Sequence, residues 1–436
     1  MDWKTENTLN SFLVENMRQQ YAERSHNFAN ALLSKDSLLA YAKNIRQKFR
    51  DLLGMLPPSS PLNAKITGSI RMNGYAIQKI TYESFPNHHV TANLYIPENI
   101  KARVPAALMF CGHEDVSKAT GSYQRTAILL VKNGFAVMVV DPISQSERHQ
   151  LTDKNGKPLT RGGTTEHTLI NESANLVGTS TVAYELWDNV RALDYLVTRP
   201  EVDTSRIGCI GNSGGAIQAI YFAAFDPRVK VIVPCSYLST RERTLELSGP
   251  ADGCAQMPGE GKALLEMSDY LLAAAPKPVL VLAGRYDFID YHGTINAFNE
   301  LTQAYHVLGE PSKVKLYVVP DGHGISEPKR REAVRWFRQW FMNDSSEVNE
   351  SRSGHIASDK DLFATKKGQV NAEYANEVTV FDRNRMLADS LAASRRNFLQ
   401  QPQHLIIQKM NELFDQNDSD HTFYSNPYSP VALNGI

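Results

Sequence analysis

The sequence predicts an α/β protein: a mostly parallel, eight-stranded sheet with helices on both faces. An N-terminal helical extension precedes it and an appended C-terminal segment follows it. Three observations carry this expectation. Eight short apolar runs recur between residues 76 and 319. Most of the later runs alternate with helical stretches. These strands are continuously apolar, as strands buried on both faces are.

The strands are expected at Ala76–Tyr82, Val90–Ile96, Ala106–Cys111, Ala136–Val140, Arg206–Ile210, Val229–Cys235, Val279–Ala283 and Lys313–Val319. Pro86-Asn87 joins the first two as a hairpin-like break. Helical stretches follow at Gln124–Lys132, Val182–Leu196, Gly214–Phe225, Thr294–Val307 and Lys329–Phe341. Residues 1–60 read as helical, with Leu9, Phe12, Leu13 and Met17 at helical spacing, and then Leu38, Leu39, Tyr41, Ala42 and Ile45. Pro57-Pro58 closes that extension, and packing against the main domain is its expected role. The catalytic domain is expected over 61–342. Residues 343–436 read as an appended, partly helical segment, with helices around Asn384–Phe398 and His404–Phe414. Residues 141–180 and 236–276 fit neither pattern. Loops of that length are usually functional or disordered. Both follow the C-terminal ends of strands, where an open α/β sheet places its ligand crevice.

Composition excludes several classes. The chain has 436 residues, 42% hydrophobic and 21% charged, with a formal charge of -1. That balance gives no electrostatic case for nucleic acid or an anionic membrane. No apolar run reaches the ~20 residues of a membrane span. The opening MDWKTENTLNSF lacks the basic start and apolar core of a secretory signal. It implies a chain that stays in the cell or one whose leader has been removed. The four cysteines, Cys111, Cys209, Cys235 and Cys254, form no C-x-x-C pair, so neither a zinc nor a redox motif is expected. The first three lie in or at the end of apolar runs and read as buried, inert thiols.

The chemistry centres on Gly211-Asn212-Ser213-Gly214-Gly215. A lone Gly-x-Ser-x-Gly is a weak signal. Here a strand, Arg206–Ile210, precedes it and a helix, Ala216–Tyr221, follows it, which is the context a nucleophile elbow needs. In that fold an acid and then a histidine follow the serine in chain order. Asp287 comes after the seventh expected strand and His323 after the eighth. Asp290, three residues on from Asp287, is the competing acid. His323 would take the proton of Ser213 and return it to the leaving group, and Asp287 would hold the imidazole tautomer. Gly214 N–H and the N–H of His113, in the loop after the third strand, are the expected oxyanion donors. His113-Glu114-Asp115 also admits a metal reading, but no H-E-x-x-H or comparable spacing supports one, so no metal and no cofactor is expected.

With these residues in place, residues from about 60 to 342 resemble bacterial α/β-hydrolase esterases of the acetyl xylan esterase type. They are similar, more distantly, to glucuronoyl esterases and dienelactone hydrolases. The elbow carries the resemblance, with Cys111-Gly112-His113, Gly134–Val137, Asp141–Arg148, Gly163–His167, Asp188–Leu196, Arg199–Asp203 and Tyr286-Asp287-Phe288. The resemblance implies a carboxylic ester hydrolase acting on ester substituents of plant cell-wall carbohydrate, with a small-molecule or oligosaccharide ester as its partner. It carries over Ser213, Asp287 and His323 as the triad and Gly214 and His113 as oxyanion donors. It also suggests that Glu147, Arg148, Glu166 and His167 support or line the site. An internal salt bridge holding the insert is the alternative reading for those pairs. Two other functions compete: a serine peptidase or C–C bond hydrolase on the same triad, and a non-catalytic binding scaffold, which would be expected to lack a triad member.

Overall fold

The computed structural model describes residues 8–153, 156–248, 252–350 and 356–413. The chain divides into two compact units, Met1–Asn384 and Arg385–Ile436. The first holds a single sheet of β1 (Lys65–Met72), β2 (Tyr75–Phe85), β3 (His88–Pro97), β4 (Val104–Phe110), β5 (Ala136–Val140), β6 (Val202–Asn212), β7 (Val229–Cys235), β8 (Val279–Gly284) and β9 (Val314–Val319). Their spatial order is β1-β2-β3-β5-β4-β6-β7-β8-β9. Strands β1 to β3 form an antiparallel meander, and β3 pairs antiparallel with β5. The pairings among β4 to β9 are all parallel.

The sheet therefore has nine strands where eight were expected. The additional one is β1, an edge strand whose side chains are mostly exposed. It shows no apolar run because it buries no continuous face. Its signal lay in Asn73-Gly74: Met72 pairs with Tyr75 across this two-residue turn, and Gly74 sits at φ 85°. Asn-Gly is the favoured two-residue hairpin turn. The break expected at Pro86-Asn87 is the β2–β3 turn, with Asn87 at φ 60°.

The helices are α1 (Thr8–Ala31), α2 (Lys35–Leu52), α3 (Gly121–Lys132), α4 (Gly163–Asn175), α5 (Thr181–Leu196), α6 (Gly214–Phe225), α7 (Arg241–Ser248), α8 (Met267–Ala273), α9 (Tyr291–Val307), α10 (Glu327–Met342), α11 (Asp359–Leu362), α12 (Val370–Glu373), α13 (Val380–Phe398) and α14 (Gln403–Leu413). Phe414, the expected end of the last helix, lies outside the described residues. Strand alternation sorts the core into two layers. Ala106, Leu108 and Phe110 of β4 face a core shared with α2, α5, α6, α8 and α9. Ala107 and Met109 face the other core, shared with α3 and α10. Both faces of the parallel strands are covered, which is why they read as unbroken apolar runs.

Two stretches differ from their sequence pattern. The 141–180 stretch contains α4, and residues 141–150 are mostly buried despite their polarity. In α1 the expected apolar face is exposed at its start: Leu9, Phe12 and Leu13 stay in solvent. Its buried face begins about two turns later, with Tyr21, Arg24, Phe28 and Ala31.

Arg24 anchors α1. Its guanidinium is fully buried and grips Asp269 of α8 through two bonds, 2.6 and 2.9 Å, and Glu300 of α9 at 2.5 Å. Tyr41 of α2 donates to the same Asp269 at 2.9 Å. Removing one partner of such a network strands a buried charge. Arg24→Ala is expected to cost about 3–5 kcal/mol, measured by denaturant unfolding.

Candidate active site

Strand β6 ends at Asn212, and Ser213 follows at φ 56°, ψ −125°, before α6 begins. A positive φ in a non-glycine residue is strained and persists only where the surroundings enforce it. The surroundings here are glycines. A Cβ on Gly211 would sit 1.9 Å from Gly215 O, and one on Gly215 would sit 2.1 Å from Phe110 O. Only glycine at both positions lets α6 start this close to β4 and β6. The serine is left at the tip of the turn.

The loop after β4 lies against this tip. A Cβ on Gly112 would be 2.9 Å from Ser213 Cβ. Tyr123 of α3 holds the two together. Its hydroxyl accepts from Gly112 N–H at 2.8 Å and from Asn212 Nδ2 at 3.3 Å, and donates to Glu114 Oε2 at 2.6 Å. Gly214 N–H is the first amide of α6, where a helix leaves its N–H groups unpaired. The His113 ring packs over Gly214, since a Cβ there would be 2.8 Å from its Cε1. No local pattern marked Tyr123, because its role depends on how α3 docks.

Asp287 follows β8 and His323 follows β9. His323 Nδ1 lies 2.7 Å from Asp287 Oδ1. Asp287 also accepts from Ile289 N–H at 3.0 Å. Burial works to raise the Asp287 pKa, but the bonds from His323 and Ile289 outweigh it and hold the carboxyl below the ordinary carboxylate value. The competing acid is engaged elsewhere. Asp290 caps α9 through Gly293 N–H at 2.7 Å and pairs with Arg243 at 2.5 Å. Asp321 pairs with the buried Lys329, whose ammonium also donates to Gly322 O and Gly324 O and so fixes the His323 loop. Phe288 stacks on the His323 ring, centroids 4.2 Å apart.

Ser213, Gly214, His113 and His323 all line one cavity of about 720 Å³. That volume falls within the range typical of small-molecule sites. Residues between Tyr237 and Met267 form much of its wall, and Thr164 comes from α4. Met17, Gln20 and Tyr21 of α1 line it too. The N-terminal helix, expected only to pack, therefore shapes the cavity.

The two pairs in the insert do not line it. Glu147, Arg148, Glu166 and His167 are fully buried, and their partners are other residues. Glu147 accepts from Lys118 Nζ at 2.6 Å and from Thr365 N–H at 2.7 Å. Burial works against its ionisation, but Lys118 prevails and its pKa is lowered. Arg148 reaches Asp188 at 2.7 Å and His88 at 2.9 Å. Glu166 accepts from Gln150 N–H at 2.5 Å. Neighbouring side chains in the insert point to different elements. His167 comes nearest the cavity: its Nδ1 is 3.2 Å from His113 Nε2. Burial, then the nearby His113, push its pKa down to about 3, so it is neutral.

Comparison with known proteins agrees with this architecture. Residues 66–256 match the family model "Acetyl xylan esterase (AXE1)". The protein YtaP of Bacillus subtilis (strain 168) is 25% identical over 316 residues, which cover 69% of this chain and 99% of YtaP. Among solved structures, Methylesterase BT1017 aligns with a TM-score of 0.66 at 21% identity, over 86% of this chain and 80% of its own. A glucuronoyl esterase from Solibacter usitatus aligns with a TM-score of 0.53 at 15% identity, over 71% of this chain and 94% of its own. These likenesses show the α/β-hydrolase fold. The expected resemblance to acetyl xylan esterases is borne out over residues 66–256, and the chain is an enzyme that hydrolyses ester bonds.

Proposed function

We propose that the chain is a serine carboxylic ester hydrolase that works through an acyl-enzyme and removes acetyl or other ester groups from plant cell-wall carbohydrate. The observation that carries this reading is the 2.7 Å His323–Asp287 bond at the cavity that the Ser213 elbow also lines. Ser213 Oγ attacks the ester carbonyl. His323 Nε2 takes the hydroxyl proton and delivers it to the departing alkoxide. Asp287 holds Nδ1–H and stabilises the imidazolium. The N–H groups of Gly214 and His113 receive the oxyanion, and Tyr123 keeps their two loops in register. Water then hydrolyses the acyl-enzyme by the same route in reverse roles. The match over residues 66–256 and the aromatic wall of Tyr21, Tyr237 and Phe288 support a carbohydrate ester as substrate.

A fluorophosphonate probe is expected to label Ser213. Ser213→Ala should abolish labelling and lower turnover by ~10⁵–10⁶. A wild-type protein inert to the probe would sink the reading. Mass analysis of acetylated xylan oligomers, methyl-esterified pectin fragments and glucuronate esters identifies the group released, and cleavage of peptides instead would overturn the ester assignment.

The two acids separate by kinetics. Asp287→Asn should lower kcat by ~10⁴. Asp290→Ala should lose chiefly a helix cap, about 0.5–2 kcal/mol of stability, with a far smaller kinetic effect. Equal kinetic losses would reverse the choice of acid. Tyr123→Phe leaves Gly112 N–H without its acceptor and should cost about 1–3 kcal/mol on chemical unfolding, together with a fall in kcat.

A further inference from the structure

Three side chains from distant parts of the chain meet behind the cavity wall. His113 comes from the loop after β4, His167 from α4, and Cys254 from the short 3₁₀ turn Gly253–Ala255. His113 Nε2 is 3.2 Å from His167 Nδ1 and 3.3 Å from Cys254 Sγ. All three ligand atoms lie within 4.8 Å of one another. We propose that His113, His167 and Cys254 form a zinc site on the wall of the cavity.

The spacing fits that ion. Zinc binds imidazole nitrogen at ~2.0–2.1 Å and thiolate sulfur at ~2.3 Å, usually in a tetrahedron. Those lengths place two nitrogens roughly 3.4 Å apart and a nitrogen and sulfur roughly 3.5 Å apart. The observed 3.2 and 3.3 Å are close to both. One thiolate and two imidazoles favour zinc over the oxygen-seeking magnesium and calcium.

The proton arrangement points the same way. His167 Nε2 faces Ile143 O at 2.7 Å, so that nitrogen carries the hydrogen and Nδ1 presents a lone pair. His113 Nδ1 faces Asp252 Oδ2 at 3.6 Å. Without an ion, a neutral His113 needs its one hydrogen in two places. On Nε2 it serves His167 and turns a bare Nδ1 toward a carboxylate. On Nδ1 it serves Asp252 and leaves two nitrogen lone pairs 3.2 Å apart. An ion bound by His113 Nε2 and His167 Nδ1 removes the conflict. His167 then donates its other N–H to the Ile143 carbonyl, the usual outer support of a zinc-bound imidazole, and the His113 Nδ1–H faces the Asp252 carboxylate at ion-pair distance.

The backbone is shaped for this meeting. A Cβ on Gly253 would lie 2.4 Å from His167 O. Glycine there lets the Cys254 turn press directly onto α4. His167 and Cys254 are buried while His113 keeps a partly exposed ring at the cavity. The fourth coordination position therefore opens on the cavity side. Binding replaces the Cys254 thiol proton, which leaves to solvent, with a zinc–sulfur bond. The ion ties the loop that bears the His113 N–H to α4 and to the 252–257 wall. Residues spaced 54 and 87 apart along the chain, 113 to 167 and 167 to 254, carry no local metal motif.

The full chain, stripped with chelator and dialysed against zinc, is expected to hold one zinc per chain by elemental analysis. Cobalt in its place should give the absorption of a tetrahedral ion with a thiolate-to-cobalt band. Cys254→Ser should remove that band. Cys254→Ser and His167→Gln should each weaken zinc binding, by calorimetry, by more than the ~10–100-fold that loss of an outer partner costs. Asp252→Asn, a change at a partly exposed residue, should weaken it by about tenfold. Wild-type protein that retains no zinc, cobalt protein without the thiolate band, or variants with wild-type affinity would overturn the site. Metal content and spectrum are read without ester hydrolysis, so failure here leaves the serine esterase reading standing.

Discussion

The close approach of α6 to the end of β4 is the constraint on which the rest of the site depends. Gly215 lies so near the Phe110 carbonyl that any side chain would collide with it. That contact sets the angle at which α6 leaves β6. It forces Ser213 into a positive φ, and it brings the loop after β4 beside the serine. Tyr123 then locks the loop and the elbow with a single hydroxyl. The positions of Ser213, the first helical amide and the loop amide are thus consequences of one backbone packing event.

The polar segments packed around the sheet rest on a different principle. Residues 141–150 carry few apolar side chains, so apolar burial alone cannot hold them. Charged groups do this instead. Lys118 bridges Asp141 and Glu147, Arg148 reaches Asp188, and Arg24 clamps α1 to α8 and α9. Each buried charge is desolvated and stable only with its partners in place. Such networks specify one arrangement, because a displaced partner leaves an uncompensated ion. This explains how polar stretches such as 141–150 can be buried and ordered beside the sheet.

The same reasoning accounts for what could be read in advance. The central strands were legible because burial on both faces makes them apolar throughout. The strand-end positions of Ser213, Asp287 and His323 were legible, and strand ends in this topology share one side of the sheet. Strand β1 was missed because an exposed edge carries no apolar run, although Asn73-Gly74 announced its turn. Helix α4 was missed because its stretch is polar and half of its buried positions are polar, Glu166, His167 and Asn171 beside Gly163, Ile170 and Ala174. The sequence preferred Asp287 to Asp290 but left the second open. One meets His323 and the other caps a helix, and only the path of the chain after β8 makes that distinction.

By itself the sequence determined the fold class, the order of the strands along the chain, and the strand-to-helix turn that presents Ser213. These are short-range matters of periodicity, glycine and turn chemistry, written within a few residues. The tertiary structure alone decided that α1 walls the cavity, that Glu147 and Arg148 serve the scaffold, and that His113, His167 and Cys254 converge. Those outcomes depend on long-range packing and on which buried polar group finds which partner. Nothing in a side chain's neighbours along the chain encodes that choice.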